Sequence, residues 1–284
     1  MRYFICLSYN GSAFSGWQIQ ENANSVQEEL QKALSTLLKE PIQVVGAGRT
    51  DTGVNARNYI AHFDFNGTVP PQEHTIYKLN AILPKEISIH SVYPVPEDMH
   101  ARFSALSRTY KYYIHTEKDP FCSEFSYFVP SRKVNIEKMN HACQYFLGEQ
   151  DFSSLEKVNG GNKTSICNVT HASWEPICPN TAGATTTLTS AGTANETATT
   201  LPSAGTENGN ATHYVFTVTA NRFLRNMVRA MVGSLLEVGS GKREPEWIKE
   251  MLAQKNRCAA GHSVPGNALF LVDVEYPAEA QPPK

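Results

Sequence analysis

The chain contains no hydrophobic run long enough to cross a membrane. None of its apolar stretches approaches the roughly 18–20 residues that a transmembrane helix requires. The apolar segment Tyr3–Leu7 is too short for the core of a secretory signal, and polar residues follow it directly. The mean hydropathy of −0.35 agrees with this. We therefore expect a soluble cytoplasmic protein without a membrane partner.

Cysteine is sparse, and its spacing argues against two common kinds of site. No two of the six cysteines are separated by two residues, the spacing of zinc ribbons and thioredoxin-like motifs. Cys167 and Cys178 are the nearest pair and could bridge in principle. Free thiols in a reducing compartment are the interpretation that we prefer.

An excess of charge of one sign is also missing. The 25 basic and 27 acidic residues leave a net charge of −2, and the isoelectric point is near 6.5. A nucleic-acid partner would therefore have to be held by local basic patches, not by the field of the whole molecule. The 284 residues allow one large domain or two ordinary ones, at roughly 100–200 residues each.

Hydrophobic periodicity predicts strands and helices in mixed order. Ser25 and Glu28 form a capping box that begins a helix, which ends near Pro41. Further helices are predicted at 74–83, 136–147, 222–238 and 247–254. Strands are predicted at 2–9, 42–45, 58–65, 87–95, 108–115, 170–176, 213–219 and 269–276. Because this order favours hairpins, we predict an α+β fold with mainly antiparallel sheets.

Residues 179–210 differ in composition from the rest of the chain. They are rich in Thr, Ala, Gly, Ser and Asn, contain no aromatic residue, and repeat Ser-Ala-Gly-Thr at 190–193 and 203–206. Such a segment cannot bury enough apolar surface to offset the entropy lost on ordering. We expect a disordered low-complexity insertion between two paired strands, which costs little stability despite its length.

The segment Gly46–Ala56, GAGRTDTGVNA, is the most informative part of the chain. It places one carboxylate, Asp51, on a glycine-rich turn between Arg49 and Arg57. Glycines allow a ligand to approach closely, and nearby arginines stabilise an ionised carboxylate. An ionised Asp on a rigid turn is a candidate nucleophile, although a lone Asp in such a turn is more often structural.

The triplet Asp51-Thr52-Gly53 also matches the motif of aspartic proteases. Those enzymes share one proton between two such carboxyl groups, whereas this chain has a single triplet of this type. A protease would therefore have to dimerise, and Arg49 would oppose the sharing of a proton. A dimeric protease is the weakest of the alternatives.

The segment Ala101–Ile114 combines cations with aromatic rings. Arg102, Arg108 and Lys111 alternate there with Phe103 and three tyrosines. This composition suits RNA, because the rings stack on bases and the cations meet phosphates. A half-buried strand with a charged outer face is the competing interpretation.

The segment Ala220–Gly233 carries three arginines and no carboxylate. Arg222, Arg225 and Arg229 follow one another at helical spacing, which predicts one helix face with three positive charges. A solvated basic face is again the competing interpretation, but three arginines without an interleaved acid favour an anion site.

Together these segments resemble the tRNA pseudouridine synthase A family. The matching motifs run from one end of the chain to the other, and only residues 179–210 are foreign to the pattern. The motifs are YNG at 9–11, FSGWQ at 14–18, SVQ at 25–27, Gly46–Val54, LNAILP at 79–84, HARFSA at 100–105, GEQDFS at 148–153, Asn221–Gly233 and LFL at 269–271.

The resemblance implies an isomerase. Such enzymes convert uridine to pseudouridine in the anticodon stem-loop of tRNA, at tRNA positions 38–40, act as homodimers, and use no metal or redox cofactor. It also implies the pseudouridine synthase fold, in which two α/β subdomains with mainly antiparallel sheets flank a central RNA-binding cleft. We expect residues 1–105 to carry the nucleophile and residues 106–284 to form the second subdomain.

The resemblance also implies roles for single residues. Asp51 matches the nucleophile, and Arg229 matches the arginine that pairs with it. Tyr110 matches the tyrosine that packs against the target base, and Arg49 matches the arginine that fills the gap left by the flipped base. We expect further arginines to give the cleft a positive field: Arg57, Arg102, Arg108, Arg222 and Arg225. Of these, we expect Arg57, Arg102, Arg222 and Arg225 to bind substrate.

Three positions depart from the pattern of the family. Thr52 replaces the usual Ala and adds a hydroxyl that we expect to bond Asp51. Asn55 replaces a usual His, and Asn267-Ala268 stand where a Gly precedes the final strand. No catalytic group is lost, so we expect activity. A tRNA-binding module without chemistry is the alternative, but binding alone does not require a carboxylate that faces RNA.

Overall fold

The computed structural model describes residues 1–157, 164–177 and 211–281. These ranges contain one ten-stranded sheet and five α-helices. The strands are β1 (Arg2–Tyr9), β2 (Val44–Gly46), β3 (Asn55–Asp64), β4 (Ile87–Val95), β5 (Ser107–His115), β6 (Tyr127–Phe128), β7 (Gly148–Asp151), β8 (Ile166–Ile177), β9 (His213–Ala220) and β10 (Leu269–Glu275). The helices are α1 (Val26–Leu38), α2 (Gln72–Ile82), α3 (Ile136–Cys143), α4 (Met227–Gly239) and α5 (Trp247–Ala253).

The sheet is mainly antiparallel, as the sequence predicts. Its strands follow the order β4-β1-β3-β10-β5-β9-β8-β7, while β2 pairs with β3 and β6 with β5. Among the described strands, the pairings of β10 with β3 and of β6 with β5 are parallel. The last strand, β10, lies between β3 and β5. It therefore joins the strands of the first hundred residues to those of the rest of the chain.

Two hydrophobic clusters pack within this fold. The first is built mostly from the first 101 residues, but Leu271 and Val274 of β10 belong to it. The second is built mostly from later residues around Trp174, but Val54 belongs to it. Tyr110 packs against both clusters. The subdomain boundary at residue 105 stays a prediction, since each cluster draws residues from both sides of it.

Most predicted elements are confirmed, with shifts of a few residues at their ends. The hydroxyl of Ser25 accepts a hydrogen bond of 3.3 Å from the Glu28 amide, as the predicted helix start requires. None of the helices in the described ranges is long and apolar enough to span a bilayer. The cysteines that the structure describes are free thiols, whereas Cys178 and the predicted insertion 179–210 lie outside the described residues.

The predicted helix at 222–238 is wrong over its first turn. α4 begins at Met227, because Asn226 adopts a left-handed conformation with φ 68°. The Asn226 side-chain amide also donates a hydrogen bond of 2.6 Å to the Ser263 hydroxyl, which holds the chain in this turn. Arg222 and Arg225 therefore lie on the irregular segment 221–226 and share no helical face with Arg229.

The turn that carries Asp51 fills a gap along one edge of β3. β2 pairs with residues 61–63 of β3, and β10 pairs with residues 55–56, so the positions between them pair with neither strand. The chain crosses this gap between Gly46 and Asn55. The Ala47 amide donates a hydrogen bond of 2.8 Å to the Ile60 carbonyl at its start. Asp51 thus lies, partly buried, where two strands part.

Gly11 packs directly against the turn, and this contact allows a stability test. A Cβ at Gly11 would lie 2.2 Å from the carbonyl oxygen of Val54, whereas a Cβ at Gly48 would meet no atom within 4 Å. We expect Gly11→Ala to lower the free energy of unfolding by about 1–3 kcal/mol, because backbone atoms would have to shift. Gly48→Ala is the matched control and should change it by less than about 0.5 kcal/mol. Urea denaturation measures both values, and equal losses would contradict the proposed packing.

Candidate active site

Asp51 lies between two arginines from the other half of the chain. Its Oδ1 is 3.4 Å from Arg225 Nε, and its Oδ2 is 3.5 Å from Arg229 Nη1. The predicted approach of Arg229 to Asp51 is confirmed as geometry, and Arg225 adds a second contact. Partly solvated ion pairs contribute at most about 1 kcal/mol to stability. We infer that the arginines orient the carboxylate more than they stabilise the fold.

The turn beneath Asp51 is held by aromatic residues from β1, β3 and the segment after β1. The Thr50 hydroxyl hydrogen-bonds to Tyr9 Oη at 2.9 Å, and the Thr50 carbonyl accepts from the Trp17 amide at 3.2 Å. The Tyr59 hydroxyl donates to the Gly48 carbonyl, and the rings of Trp17 and Tyr59 stack at 4.1 Å. Asp51 therefore projects from a rigid platform, which a precisely placed reactive group requires.

Two adjoining cavities of about 840 and 770 Å³ open onto Asp51. Because they share Arg49, Thr50, Asp51, Arg225, Asn226 and Arg229, they form one cleft. Among the described residues, Asp51 is the only acid that lines the cleft, and its basic residues are Arg49, Arg102, Arg108, Lys157, Arg222, Arg225, Arg229 and Arg257. The cleft thus carries a positive field although the chain is slightly acidic.

Tyr110 lies on β5 and lines the same cavity as Asp51, as the sequence predicts. Its ring meets that of Phe223 edge to face at 5.1 Å. Burial raises the pKa of Tyr110 to about 12, and the nearby Asp51 charge acts in the same direction. The phenol is therefore protonated at neutral pH and can donate a hydrogen bond to a bound group.

Arg108 lines the cleft, as the sequence predicts, and it also connects the walls of the cleft. Its guanidinium lines the cavity but donates to four backbone carbonyls. Nη1 bonds Ala105 at 3.1 Å and Asn221 at 2.8 Å, while Nη2 bonds Ala47 at 3.2 Å and also Arg102. These carbonyls belong to three separate walls of the cleft. Arg108 therefore connects three walls of the cleft. Four of its five N–H donors already bond protein carbonyls.

The structure keeps Arg57 away from the cleft. Its guanidinium carbon lies 5.7 Å from the centre of the Phe270 ring. Phe270 faces away from Leu269 and Leu271, its neighbours on β10 that line the cavity. The pairing of β1 with β3 is irregular between Leu7 and Tyr9, opposite this part of β3. Such an irregularity changes the side of the sheet to which nearby side chains point. The sequence alone does not reveal the irregularity.

Two histidines shape the loop that carries Arg102 and Phe103 into the cleft. His62 Nδ1 accepts a hydrogen bond of 3.1 Å from the Ala101 amide. His100 Nδ1 accepts from the amides of Arg102 at 3.0 Å and of Phe103 at 3.3 Å. Only a neutral imidazole can accept at this nitrogen. Both residues are thus required in their neutral form to hold the loop.

The sequence analysis missed two cations of the cleft. Lys157 and Arg257 line the cavity beside Asp51, but no motif marks either residue. The Lys157 amide donates to the Arg225 carbonyl at 3.0 Å, and Arg257 Nη2 donates to the Ser263 hydroxyl at 2.8 Å. The contact that places Lys157 is remote in sequence, whereas Arg257 is held by residues at most six positions away.

One of the three departures from the expected pattern, Asn55, makes two hydrogen bonds that connect neighbouring loops. The Asn55 amide donates to the Asn267 carbonyl at 2.7 Å, and its oxygen accepts from the Gly11 amide at 2.8 Å. A short side chain with one donor and one acceptor is needed to make both bonds. Thr52 is exposed at the cleft, and its hydroxyl makes no hydrogen bond to Asp51 in the described structure, contrary to expectation.

A comparison with family models identifies the chain. The model described as tRNA pseudouridine synthase matches residues 5–104 and 142–277. The chain belongs to this family. The matched ranges contain Asp51, Arg225 and Arg229 but leave out Arg108 and Tyr110.

Full-length relatives cover the whole cleft. The chain is 44% identical over 281 residues to the tRNA pseudouridine synthase A of Parabacteroides distasonis, covering 99% of this chain and 98% of that protein. It is 45% identical over 278 residues to that of Bacteroides thetaiotaomicron, covering 98% and 91%. It is 36% identical over 287 residues to that of Aliivibrio salmonicida, covering 100% and 96%. Tyr110 and Arg108 thus lie within regions that these family members share.

Because Arg108 connects three walls of the cleft, Arg108→Lys should lower the stability of the fold. Lysine keeps the charge but cannot bond four carbonyls on three segments. The bonds to Ala105 and Ala47 are part-buried, and each buried carbonyl left unsatisfied costs about 1–3 kcal/mol. We therefore expect a loss of about 2 kcal/mol or more in the free energy of unfolding. The control Arg57→Lys removes an exposed ring contact worth about 0.5–1 kcal/mol. Urea denaturation should separate the two, and an equal loss would refute the role of Arg108.

The lowered pKa of His62 predicts how the stability of the fold depends on pH. Burial, helped by Arg2 and His100, lowers the pKa of His62 from 6.5 to about 4. Between pH 6.5 and about pH 4, His62 is therefore protonated in the unfolded chain but stays neutral in the folded chain. The free energy of unfolding falls as the pH is lowered through this range. In His62→Asn, which keeps an acceptor for the Ala101 amide, urea denaturation should give a flatter profile from pH 6.5 to 4. The same slope in both proteins would contradict this account.

Proposed function

We propose that this protein isomerises uridine to pseudouridine in tRNA, with Asp51 as the nucleophile. The observation that carries the proposal is that one carboxylate, Asp51, faces a cleft whose other described charges are all positive. RNA phosphates require such a field. A carboxylate in a positive cleft weakens the binding of an anion such as RNA. We therefore infer that Asp51 is present for the reaction and not for binding.

The reaction breaks the bond between N1 of uracil and C1′ of the ribose. The base then turns, C5 bonds to C1′, and the proton on C5 leaves. A carboxylate that adds to the base or to the ribose and later departs divides this exchange into easier steps. Asp51 is suited to this because it is three-quarters buried on a rigid turn, at 23% exposure of its side chain.

The arginines beside Asp51 direct its carboxylate. Arg229 is itself fixed, because its Nε donates to the Val264 carbonyl at 2.7 Å. Arg225 is more exposed, at 48% against 23% for Arg229. We assign Arg229 to the orientation of the nucleophile, and Arg225 to both the nucleophile and the RNA.

The target uridine must leave its stack to reach Asp51, which costs a few kcal/mol. We propose that the exposed Arg49, which lines both cavities, enters the space that the base vacates. Tyr110 packs against the extruded base. A cavity of about 770 Å³ is within the range that holds small ligands, about 300–1,000 Å³, and is large enough for a nucleotide.

The RNA backbone meets the remaining cations of the cleft. Arg102 and Arg222 line the cavity together with Phe103. The centre of the Phe103 ring lies 5.6 Å from the Arg102 guanidinium carbon, but Phe103 is 77% exposed, so it can also stack on a base. Lys157 and Arg257 extend the positive surface past Asp51. We no longer include Arg57 among the substrate-binding residues, because it lies against Phe270.

We further propose that the substrate is the anticodon stem-loop, that the protein acts in the cytoplasm, and that it acts as a homodimer. These points rest on the resemblance to the tRNA pseudouridine synthase A family. A tRNA-binding module without chemistry would not need a carboxylate in its cleft. An aspartic protease is disfavoured by family membership and by the two arginines on Asp51, which oppose proton sharing with a second acid.

Asp51→Asn tests the proposal. Release of tritium from tRNA labelled at C5 of uridine measures turnover, and filter binding measures affinity. We expect turnover to fall by more than about a thousandfold, as removal of a nucleophile typically does. Affinity should stay equal or rise, because a negative charge leaves a site for an anion.

The matched control is Asp64→Asn, which removes a carboxylate that pairs with Arg2 at 2.8 Å and does not line the cleft. It should leave turnover near that of the original protein. Unchanged turnover in Asp51→Asn would overturn the assignment of the nucleophile. A loss of tRNA binding together with turnover would favour a structural role for Asp51.

A further inference from the structure

A second group of reactive side chains lies where β5 ends and β9 begins. Asp119, Cys122 and His213 offer a carboxylate oxygen, a sulfur and an imidazole nitrogen, all within 4.8 Å of one another. None of the three lines the cleft that contains Asp51. Asp119 and Cys122 also lie in the part of the chain that the family model leaves unmatched. The proposed reaction assigns no role to them.

The fold brings these residues together through strand pairing. β5 and β9 are antiparallel with His115 opposite His213, and the Thr116 amide donates to the Thr212 carbonyl at 2.9 Å just beyond this pair. After β5 the chain turns and returns as β6, which pairs with the end of β5. The loop between β5 and β6 therefore lies beside the first residue of β9.

Each side chain is held by a neighbour. The Phe121 amide donates to Asp119 Oδ1 at 2.8 Å. His213 Nδ1 is 3.0 Å from the Thr212 hydroxyl. Cys122 is buried, with 1% exposure, and its thiol is 3.8 Å from the Asp119 carbonyl. Outer contacts of this kind orient the ligands of metal ions.

We propose that Asp119, Cys122 and His213 bind a divalent metal ion of the zinc class. A set of one thiolate, one imidazole and one carboxylate suits zinc, whereas magnesium and calcium require oxygen ligands. On binding, the sulfur bonds the metal and the thiol proton of Cys122 passes to solvent. Water completes a tetrahedron as the fourth ligand.

The geometry requires only small movements. Bond lengths of about 2.0–2.3 Å to zinc place tetrahedral ligand atoms about 3.3–3.5 Å apart. The three ligand atoms, within 4.8 Å now, would approach by about 1 Å. Asp119 and His213 are only half-buried, so rotation of their side chains can supply this movement.

The ion has a structural effect on the loop that it would bind. The same loop is anchored at its other end by Asn267, whose amide donates to the carbonyls of Ser123 and Glu124 at 3.1 Å. Asn267 in turn bonds Asn55, next to the Asp51 turn. Metal binding should therefore stabilise the folded chain, and it does not depend on the proposed isomerase activity.

Cobalt(II) is the probe for the test, because a thiolate bound to it gives a charge-transfer band in the near ultraviolet. The full chain is first treated with a chelator and then titrated with Co²⁺. We expect one equivalent to bind, with that band and with visible bands of tetrahedral intensity, and Zn²⁺ to displace it. Zn²⁺ should also raise the melting temperature of the protein, since it binds the folded state.

Cys122→Ser should abolish the charge-transfer band and weaken binding at least tenfold, and Cys258→Ser, which changes an exposed thiol, should do neither. His213→Gln is a second variant at a half-buried position and should weaken binding likewise. It decides the question if Cys122→Ser fails to fold. Absence of stoichiometric binding, or a band that survives in Cys122→Ser or is unaffected by His213→Gln, would overturn the proposal.

Discussion

The carboxylate of Asp51 meets two arginines that lie 174 and 178 residues further along the chain. This contact exists only if both halves of the protein are correctly placed. The last strand, β10, makes it possible by pairing with β3 from the first half and β5 from the second. This junction between the two halves forms the cleft. It also sets the orientation of the nucleophile and the positive field around it.

The ion pairs cannot hold the junction by themselves, because partly exposed pairs contribute little free energy. Hydrogen bonds from side chains to backbone carbonyls hold it instead. Arg108 bonds carbonyls of the Asp51 turn, the 101–105 loop and the 221–226 segment. Asn55 and Asn267 connect the start of β3 to the loop before β10. Stability and catalytic geometry therefore draw on different contacts around the same carboxylate, and substitutions can separate them.

Local patterns in the sequence predicted most strands and helices and the Asp51 turn, because periodicity, capping and glycine act over a few residues. The errors arise where contacts between residues distant in sequence determine the conformation of the chain. Arg222 and Arg225 fit a helix, but Asn226 turns the chain through its bond to Ser263. Arg57 is expected in the cleft, but it lies against Phe270, beside an irregularity in the pairing of β1 with β3. Two of the four acceptors of Arg108, Ala47 and Asn221, lie 61 and 113 residues away, so its role in connecting the walls of the cleft could not be predicted.

The identity of the residue that bonds to RNA tests the central claim most directly. In a tRNA transcript with 5-fluorouridine at the target, fluorine replaces the proton that must leave C5 in the last step, so a covalent intermediate cannot complete the reaction. Mass spectrometry of digested, denatured complexes then locates the attached nucleotide. Our account predicts attachment to the peptide that contains Asp51, and none in Asp51→Asn. Attachment to a peptide without Asp51 would contradict it.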